Sequence, residues 1–179
     1  MKPGSGSRKG GKFERWLARE LSMWWFGSEG FLWRRPGSGY IKSIGPGRAT
    51  GDIIPVADRP SPCQWPIHVQ AKHWRPSALK FGRLLFMPSE DHPISRIWDK
   101  EYKEKRTDLF LMLILKTNRM PVMCVVEQCY LTGFPLDKWA GLETIYGSIL
   151  TIAPWADVKD RLRKVWFGKR EDTFLSKKG

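Results

Sequence analysis

The sequence predicts an α/β protein in which a mixed central β-sheet is flanked by helices. Three observations carry this prediction. Apolar residues near the N-terminus recur at helical spacing, three short strand-like segments follow, and two apolar runs flank the turn "TNRMP" as in a buried β-hairpin. Hydrophobic residues make up 41% of the 179 residues, which is enough for one domain with a sizeable core.

The N-terminal region predicts a flexible arm followed by a helix. Residues 1–11 are rich in Lys, Gly and Ser and have no apolar period, so we expect a flexible basic arm. From Lys12 to Trp25 the apolar residues fall on one helical face. Glu14 and Glu20 lie in or beside that face, where an acid is costly unless it is paired or bound to metal. For Glu20 we expect a buried pair with an arginine.

Three strands should follow this helix, at 31–35, 52–56 and 67–72, separated by a Gly-rich loop and a Pro-rich connection. The third strand alternates, so its two faces differ. Ile67, Val69 and Ala71 share one face, and His68, Gln70 and Lys72 share the other.

The second half of the chain predicts a helix over 93–106, a hairpin over 109–116 and 122–127, and a helix over 153–167. Residues 12–167 would then form the folded domain, and 168–179 a basic C-terminal tail. Most of the tryptophans should belong to the core, although Trp33 or Trp74 could stack on unpaired bases.

The charge of the chain indicates a polyanionic partner. Lys and Arg total 31 against 18 Asp and Glu, a formal net charge of +13, which favours nucleic acid over a membrane surface. No apolar run is long enough to cross a bilayer, and the N-terminus lacks the apolar core of a signal peptide. We therefore expect a cytoplasmic protein, in the host cytoplasm if the origin is a phage.

Four polar residues stand where a metal-dependent site would need them. If the second and third strands pair, Asp52 approaches Gln70 and Lys72, and a first helix packed on that face brings Glu14. A carboxylate, an amide oxygen and the backbone carbonyl of Ala71 are hard oxygen ligands of the kind that Mg²⁺ prefers. The cluster therefore suits phosphodiester hydrolysis, with Lys72 orienting water or stabilising the charged transition state.

Four sequence blocks resemble those of the archaeal-type Holliday junction resolvases, which belong to the PD-(D/E)xK nuclease superfamily. "KGGKFER" resembles the family's K-G-x-x-x-E-R opening, and "RRPGSG" its R-x-P-x-S-G loop. "GDII" resembles its P-D-I-I strand start, and "VQAK" its E-x-K strand. The blocks occur in the family's order and cover roughly the first 40% of the chain.

The resemblance implies a restriction-endonuclease-like PD-(D/E)xK core, a homodimer, and symmetric nicking of four-way DNA junctions with Mg²⁺, or also Mn²⁺. It places Glu14, Asp52, Gln70 and Lys72 at the catalytic positions, and Ser38 near the scissile phosphate. The metal ligands would be Asp52, Gln70, Glu14 and the Ala71 carbonyl. The expected DNA-contacting residues are Lys9, Arg15, Arg34, Arg35 and Lys42.

This chain departs from the family at Gln70, where the motif has Glu; some members of the superfamily, including transposase end-cleaving subunits, work with Gln there. Two other functions stay open: a restriction, repair or transposase nuclease of the same superfamily, and a non-catalytic DNA-junction binding protein. Residue by residue, Glu14 could be an ordinary helix acid paired with Arg15 or Lys12 at the margin of the packed face, and Asp52 could be a turn residue. Gln70 and Lys72 could be the exposed side of a half-buried strand. We leave His68 outside the expected site.

Overall fold

The computed structural model describes residues 5–35, 51–56, 65–74, 92–105, 107, 109–118, 120–131, 140–143 and 148–175. The helices among them are α1 (Ser5–Phe26), α2 (Pro93–Glu104) and α3 (Trp155–Leu175). The strands are β1 (Leu32–Arg34), β2 (Ile53–Pro55), β3 (Ile67–Trp74), β4 (Phe110–Thr117), β5 (Met123–Glu127), β6 (Ala140–Glu143) and β7 (Ile149–Pro154). A 3-10 turn spans Gln128–Leu131.

The predicted α/β class is confirmed. The described strands form one mixed sheet in the order β1-β2-β3-β4-β5-β7-β6, in which β3 and β4 are parallel and the other described pairs are antiparallel. The parallel pair needs a crossover, and α2 lies in the segment that connects β3 to β4. The predicted hairpin is the pair β4–β5, with Ile114 opposite Cys124.

Helices α1 and α3 cover one face of the sheet. Leu17 and Leu21 of α1 and Trp166 of α3 belong to the same buried cluster as Val69 and Met112 of the central strands. A second set of contacts fixes the two helices together. The indole N–H of Trp24 donates to the Lys159 carbonyl at 2.8 Å, and the Lys159 ammonium lies 3.3 Å from Glu20. The expectation of an arginine partner for Glu20 is therefore wrong.

Helix α2 covers the opposite face. Its Ile94 and Trp98 pack against Leu111, Leu113 and Leu115 of β4. His68, Gln70 and Lys72 pair in register with those three leucines, so they point toward α2. The sequence led us to expect the first helix on the polar face of β3. This expectation is wrong, because α1 packs on the other face of the sheet.

Several element boundaries differ from the predicted ones. Helix α1 begins at Ser5 rather than Lys12, so part of the expected arm is helical. Helix α3 begins at Trp155, because Ala153 is a strand residue paired with Cys124, and it continues to Leu175. Strands β6 and β7 were not predicted. No helix in the described residues is long and apolar enough to cross a membrane.

Candidate active site

The site begins with a close approach of two backbone segments at Gly51. This residue has φ +103°, and a Cβ added to it would lie 2.6 Å from the Val69 carbonyl oxygen. Glycine is required here because any side chain would collide with the strand. The approach lets the Asp52 N–H donate to the same Val69 oxygen at 2.7 Å, and β2 then pairs with β3 through Ile53 and Val69.

The Asp52 side chain lies along the edge of β3 just beyond the start of β2. Its Oδ2 accepts a hydrogen bond from the Ala71 N–H at 2.9 Å. The N–H and C=O groups of one strand residue point to the same edge, so the Ala71 carbonyl faces the Asp52 side as well. A carboxylate and a backbone carbonyl thus share this edge.

Opposing charges surround Asp52. Burial raises the pKa of its carboxyl above the usual value, and the nearby acids Glu14 and Glu101 raise it further. The Ala71 hydrogen bond and the Lys72 ammonium act in the other direction. A cation would be stabilised at this position, because the Asp52 carboxylate is partly buried and lies near other acids.

Gln70 and Lys72 reach this region from β3. Gln70 is only 6% exposed. Lys72 is half-buried and interacts electrostatically with Asp52. The alternative interpretation, in which both residues lie on the exposed side of a strand, is therefore wrong for Gln70, because Gln70 is buried.

Glu14 reaches the site from α1 and is held by Arg34. The Arg34 Nε lies 2.5 Å from Glu14 Oε2. Gly11, one turn before Glu14, makes room for this pair, because a Cβ there would lie 3.2 Å from an Arg34 guanidinium nitrogen. The motif "KGGKFER" thus has a local physical reason: Gly11 leaves space for the Arg34 guanidinium, and Arg34 pairs with Glu14. Arg34, expected to contact DNA, has Glu14 as a partner.

A buried pair beside the site could not be recognised from the sequence. His68 Nε2 lies 3.0 Å from Glu101 Oε2, and both residues are buried. Glu101 stands on α2 and influences Asp52, so α2 adds a carboxylate to the site from the face opposite α1. The position of Glu101 among the apolar residues of α2 was the available sign of a buried acid. Nothing in the sequence linked Glu101 to His68, 33 residues earlier.

Oxygen ligands for a metal are present, but they are few. Among the described residues, no group of three or more His, Cys, Asp or Glu side chains could hold a metal ion. The candidate donors are the Asp52 carboxylate, the Gln70 amide and the Ala71 carbonyl. All three are hard oxygens, so they fit Mg²⁺, which usually keeps several waters and needs few protein ligands.

Of the remaining predicted residues, Lys9, Arg15 and Arg35 are described and two lie outside the described chain. Lys9 and Arg15 are exposed on α1, and Arg35 is half-buried and donates its backbone N–H to the Asp52 carbonyl at 2.8 Å. Ser38 and Lys42 lie outside the described residues.

No protein-family model, curated protein or solved structure matches this chain. What the protein does must therefore be inferred from the residues of the site.

Proposed function

We propose that this protein is a Mg²⁺-dependent, structure-selective DNA endonuclease with a PD-(D/E)xK core, and specifically a Holliday junction resolvase. One observation carries the proposal: the Asp52 carboxylate is fixed to the Ala71 N–H, with Lys72 and Glu14 close enough to influence its charge. These groups come from a helix and two adjacent strands, in the chain order that the sequence motifs led us to expect.

Each residue has a separate task in this proposal. Asp52, the Gln70 amide and the Ala71 carbonyl would hold the metal. When bound, Mg²⁺ lowers the pKa of a coordinated water and offsets charge on the phosphate. Lys72 carries a fixed positive charge beside Asp52, where it orients water or stabilises the phosphate oxygens. Glu14, positioned by Arg34, adds negative charge on the metal side.

The net charge of +13 supports DNA as the partner, because a positive field attracts the phosphate backbone. Symmetric cutting of a four-way junction would require a homodimer with two sites. Mn²⁺ should also support the reaction, since it accepts the same oxygen ligands.

The test is a Mg²⁺ titration of cleavage on a labelled four-way junction with three variants. Gln70→Glu should keep cleavage and lower the Mg²⁺ concentration needed, because it adds an anionic ligand next to Asp52. Gln70→Ala should lose activity by orders of magnitude, as expected if metal placement contributes several kcal/mol. Lys72→Ala should lose activity with little change in metal requirement, since Lys72 does not bind the ion.

Cleavage by Gln70→Ala at the wild-type rate would contradict the metal role of Gln70. Parallel reactions with flaps and linear duplex separate a resolvase from a restriction, repair or transposase nuclease, because only a resolvase should prefer the junction.

A second function, non-catalytic junction binding, is favoured by Gln70 itself and by the small number of acidic ligands in the described residues. It predicts junction binding that is independent of Mg²⁺ and no nicking at any Mg²⁺ or Mn²⁺ concentration. The same titration therefore decides between the two functions.

A further inference from the structure

An open groove of about 420 Å³ lies beside the candidate site, at the end of β3. We call it the basic–aromatic groove. Its walls come from the start of α1, from the ends of β3 and β4, and from the residue before β5: Lys9, Lys12, Phe13, Trp16, His73, Lys116 and Val122.

The groove carries positive charge. Lys9, Lys12 and Lys116 are in its wall, and no carboxylate is among the lining residues that the structure describes. Lys116 donates one hydrogen bond to the Met120 carbonyl at 2.9 Å. An ammonium has three N–H donors, so this bond positions the Lys116 ammonium and leaves N–H donors for a ligand. The groove therefore suits an anion.

The groove also presents a flat aromatic surface. Trp16 lies on the apolar stripe that predicted a core helix, yet it is 43% exposed. The ring of the buried Phe13 stacks on it, with centroids 5.8 Å apart and planes 18° from parallel. Phe13 thus packs against one face of the indole, and the exposure of Trp16 leaves part of the indole accessible to a planar ligand.

His73 adds a polar group beside these rings. Its ring centroid lies 5.9 Å from that of Phe13, and its buried Nδ1 has no hydrogen-bond partner in the described part of the chain. A buried polar atom without a partner is unusual in a folded protein. His73 therefore adds a polar ring to the wall of the groove.

The groove adjoins the candidate site through two pairs of consecutive residues. Phe13 precedes Glu14 on α1, and His73 follows Lys72 on β3. Successive strand side chains point to opposite faces, so Lys72 points toward α2 and His73 toward α1. The groove therefore adjoins the candidate site at the end of β3, on the α1 side of the sheet.

We propose that the basic–aromatic groove binds an unpaired nucleotide of the DNA strand that adjoins the scissile phosphate. The base stacks on Trp16, and the lysines contact the phosphates. An anion joined to a planar ring is the chemistry of a nucleotide, and stacking on an aromatic side chain accepts every base. This inference rests on the proposed DNA function and adds to it a preference for unpaired strands near the cut.

The experiment measures binding of a fluorescent single-stranded thymidine 12-mer by anisotropy, without divalent metal. Trp16→Ala should weaken binding about 5- to 100-fold, the range for loss of one stacked base. Trp16→Phe should stay close to wild type because it keeps a ring. Met23→Ala is the matched control: Met23 is 47% exposed on the same helix and does not line the groove, so it should bind like wild type.

Single-stranded binding by Trp16→Ala equal to wild type, or no binding by the wild-type protein, would overturn the proposal. Tighter binding of a uridine 12-mer would overturn the assignment to DNA. Asp52→Asn separates the two proposals, because it should bind the 12-mer normally while losing cleavage. If Asp52→Asn still cleaves, the proposed active site fails, whereas the Trp16 result still decides the groove.

Discussion

At the scale of single residues, Asp52 combines a cost in stability with a proposed role in catalysis. Burial chiefly raises its pKa above the usual value of an aspartate carboxyl, so the ionised form is less stable in the folded protein than in the unfolded chain. A raised folded-state pKa means that the native state binds the proton more tightly. The destabilisation by Asp52 is therefore complete above the raised pKa and disappears as the pH falls through it toward 3.8.

We therefore predict that Asp52→Asn has a free energy of unfolding up to about 1–2 kcal/mol larger than wild type at neutral pH without metal. The variant should accordingly unfold at a higher temperature, while cleavage is lost. The asparagine oxygen still accepts from Ala71, and the buried charge is gone. Ca²⁺ or Mg²⁺ should raise the melting temperature of wild type but not of the variant, since only wild type has the anionic ligand. Thermal unfolding with and without metal checks both points, and a less stable variant would contradict the first.

The His68–Glu101 pair leads to a different prediction about stability. His68→Phe should lower the free energy of unfolding by at least about 1–3 kcal/mol, because the buried Glu101 carboxylate loses this hydrogen bond. Adding Glu101→Leu should recover much of the loss, because it removes the buried carboxylate that lost its bond to His68. Urea denaturation of the wild type, both single variants and the double variant measures the coupling. Additive effects would show that the pair does not interact.

The candidate site could be predicted only in part from the sequence. Alternation along β3 identified Gln70 and Lys72, and the glycine before Asp52 indicated a turn that leads into a strand. The His68–Glu101 pair could not be found, because it depends on how α2 crosses the sheet. The exposure of Trp16 was also missed, since helical spacing predicts which residues share a face but not where the covering layer ends.

At the scale of elements, local patterns predicted the elements with strong periodicity and missed those that depend on distant pairing. The β4–β5 hairpin was confirmed because both of its strands and the turn are adjacent in sequence. Strand β7 was missed because Ala153 resembles the start of a helix, and its pairing with Cys124 across the sheet decides otherwise. Helix α1 extends through three glycines, Gly6, Gly10 and Gly11, which argue against helix, and Arg34 lies against the last of them.

The turn before β2 can be tested with a matched pair of glycines. Gly51 and Gly27 both have positive φ, but a Cβ at Gly27 would meet nothing within 4 Å. Gly27→Ala should therefore cost about 1–2 kcal/mol, the backbone strain alone. Gly51→Ala should cost clearly more and should reduce cleavage, because Val69 must move and carries Asp52 with it. Chemical denaturation and junction cleavage of both variants make the comparison; equal losses would mean that the close approach is unimportant.

At the scale of the whole molecule, the excess positive charge affects assembly. Two copies that each carry a net charge of +13 repel one another, and this repulsion falls when DNA phosphates lie between them. The proposed dimer should therefore be more stable on a junction than free in solution. Light scattering at low and physiological salt, with and without junction DNA, should show this shift in mass.

The last prediction concerns how two cuts are made on one junction. If a two-fold dimer places one site on each of two strands, a mixed dimer of wild type and Asp52→Asn has a single working site. It should nick one strand and leave the junction unresolved, whereas wild type cuts both strands. The mixed dimer can be isolated through a tag on the Asp52→Asn copy, with two differently tagged wild-type copies as the control. Paired cuts by the mixed dimer, or a monomer both free and on the junction, would contradict the resolvase and leave a nicking nuclease.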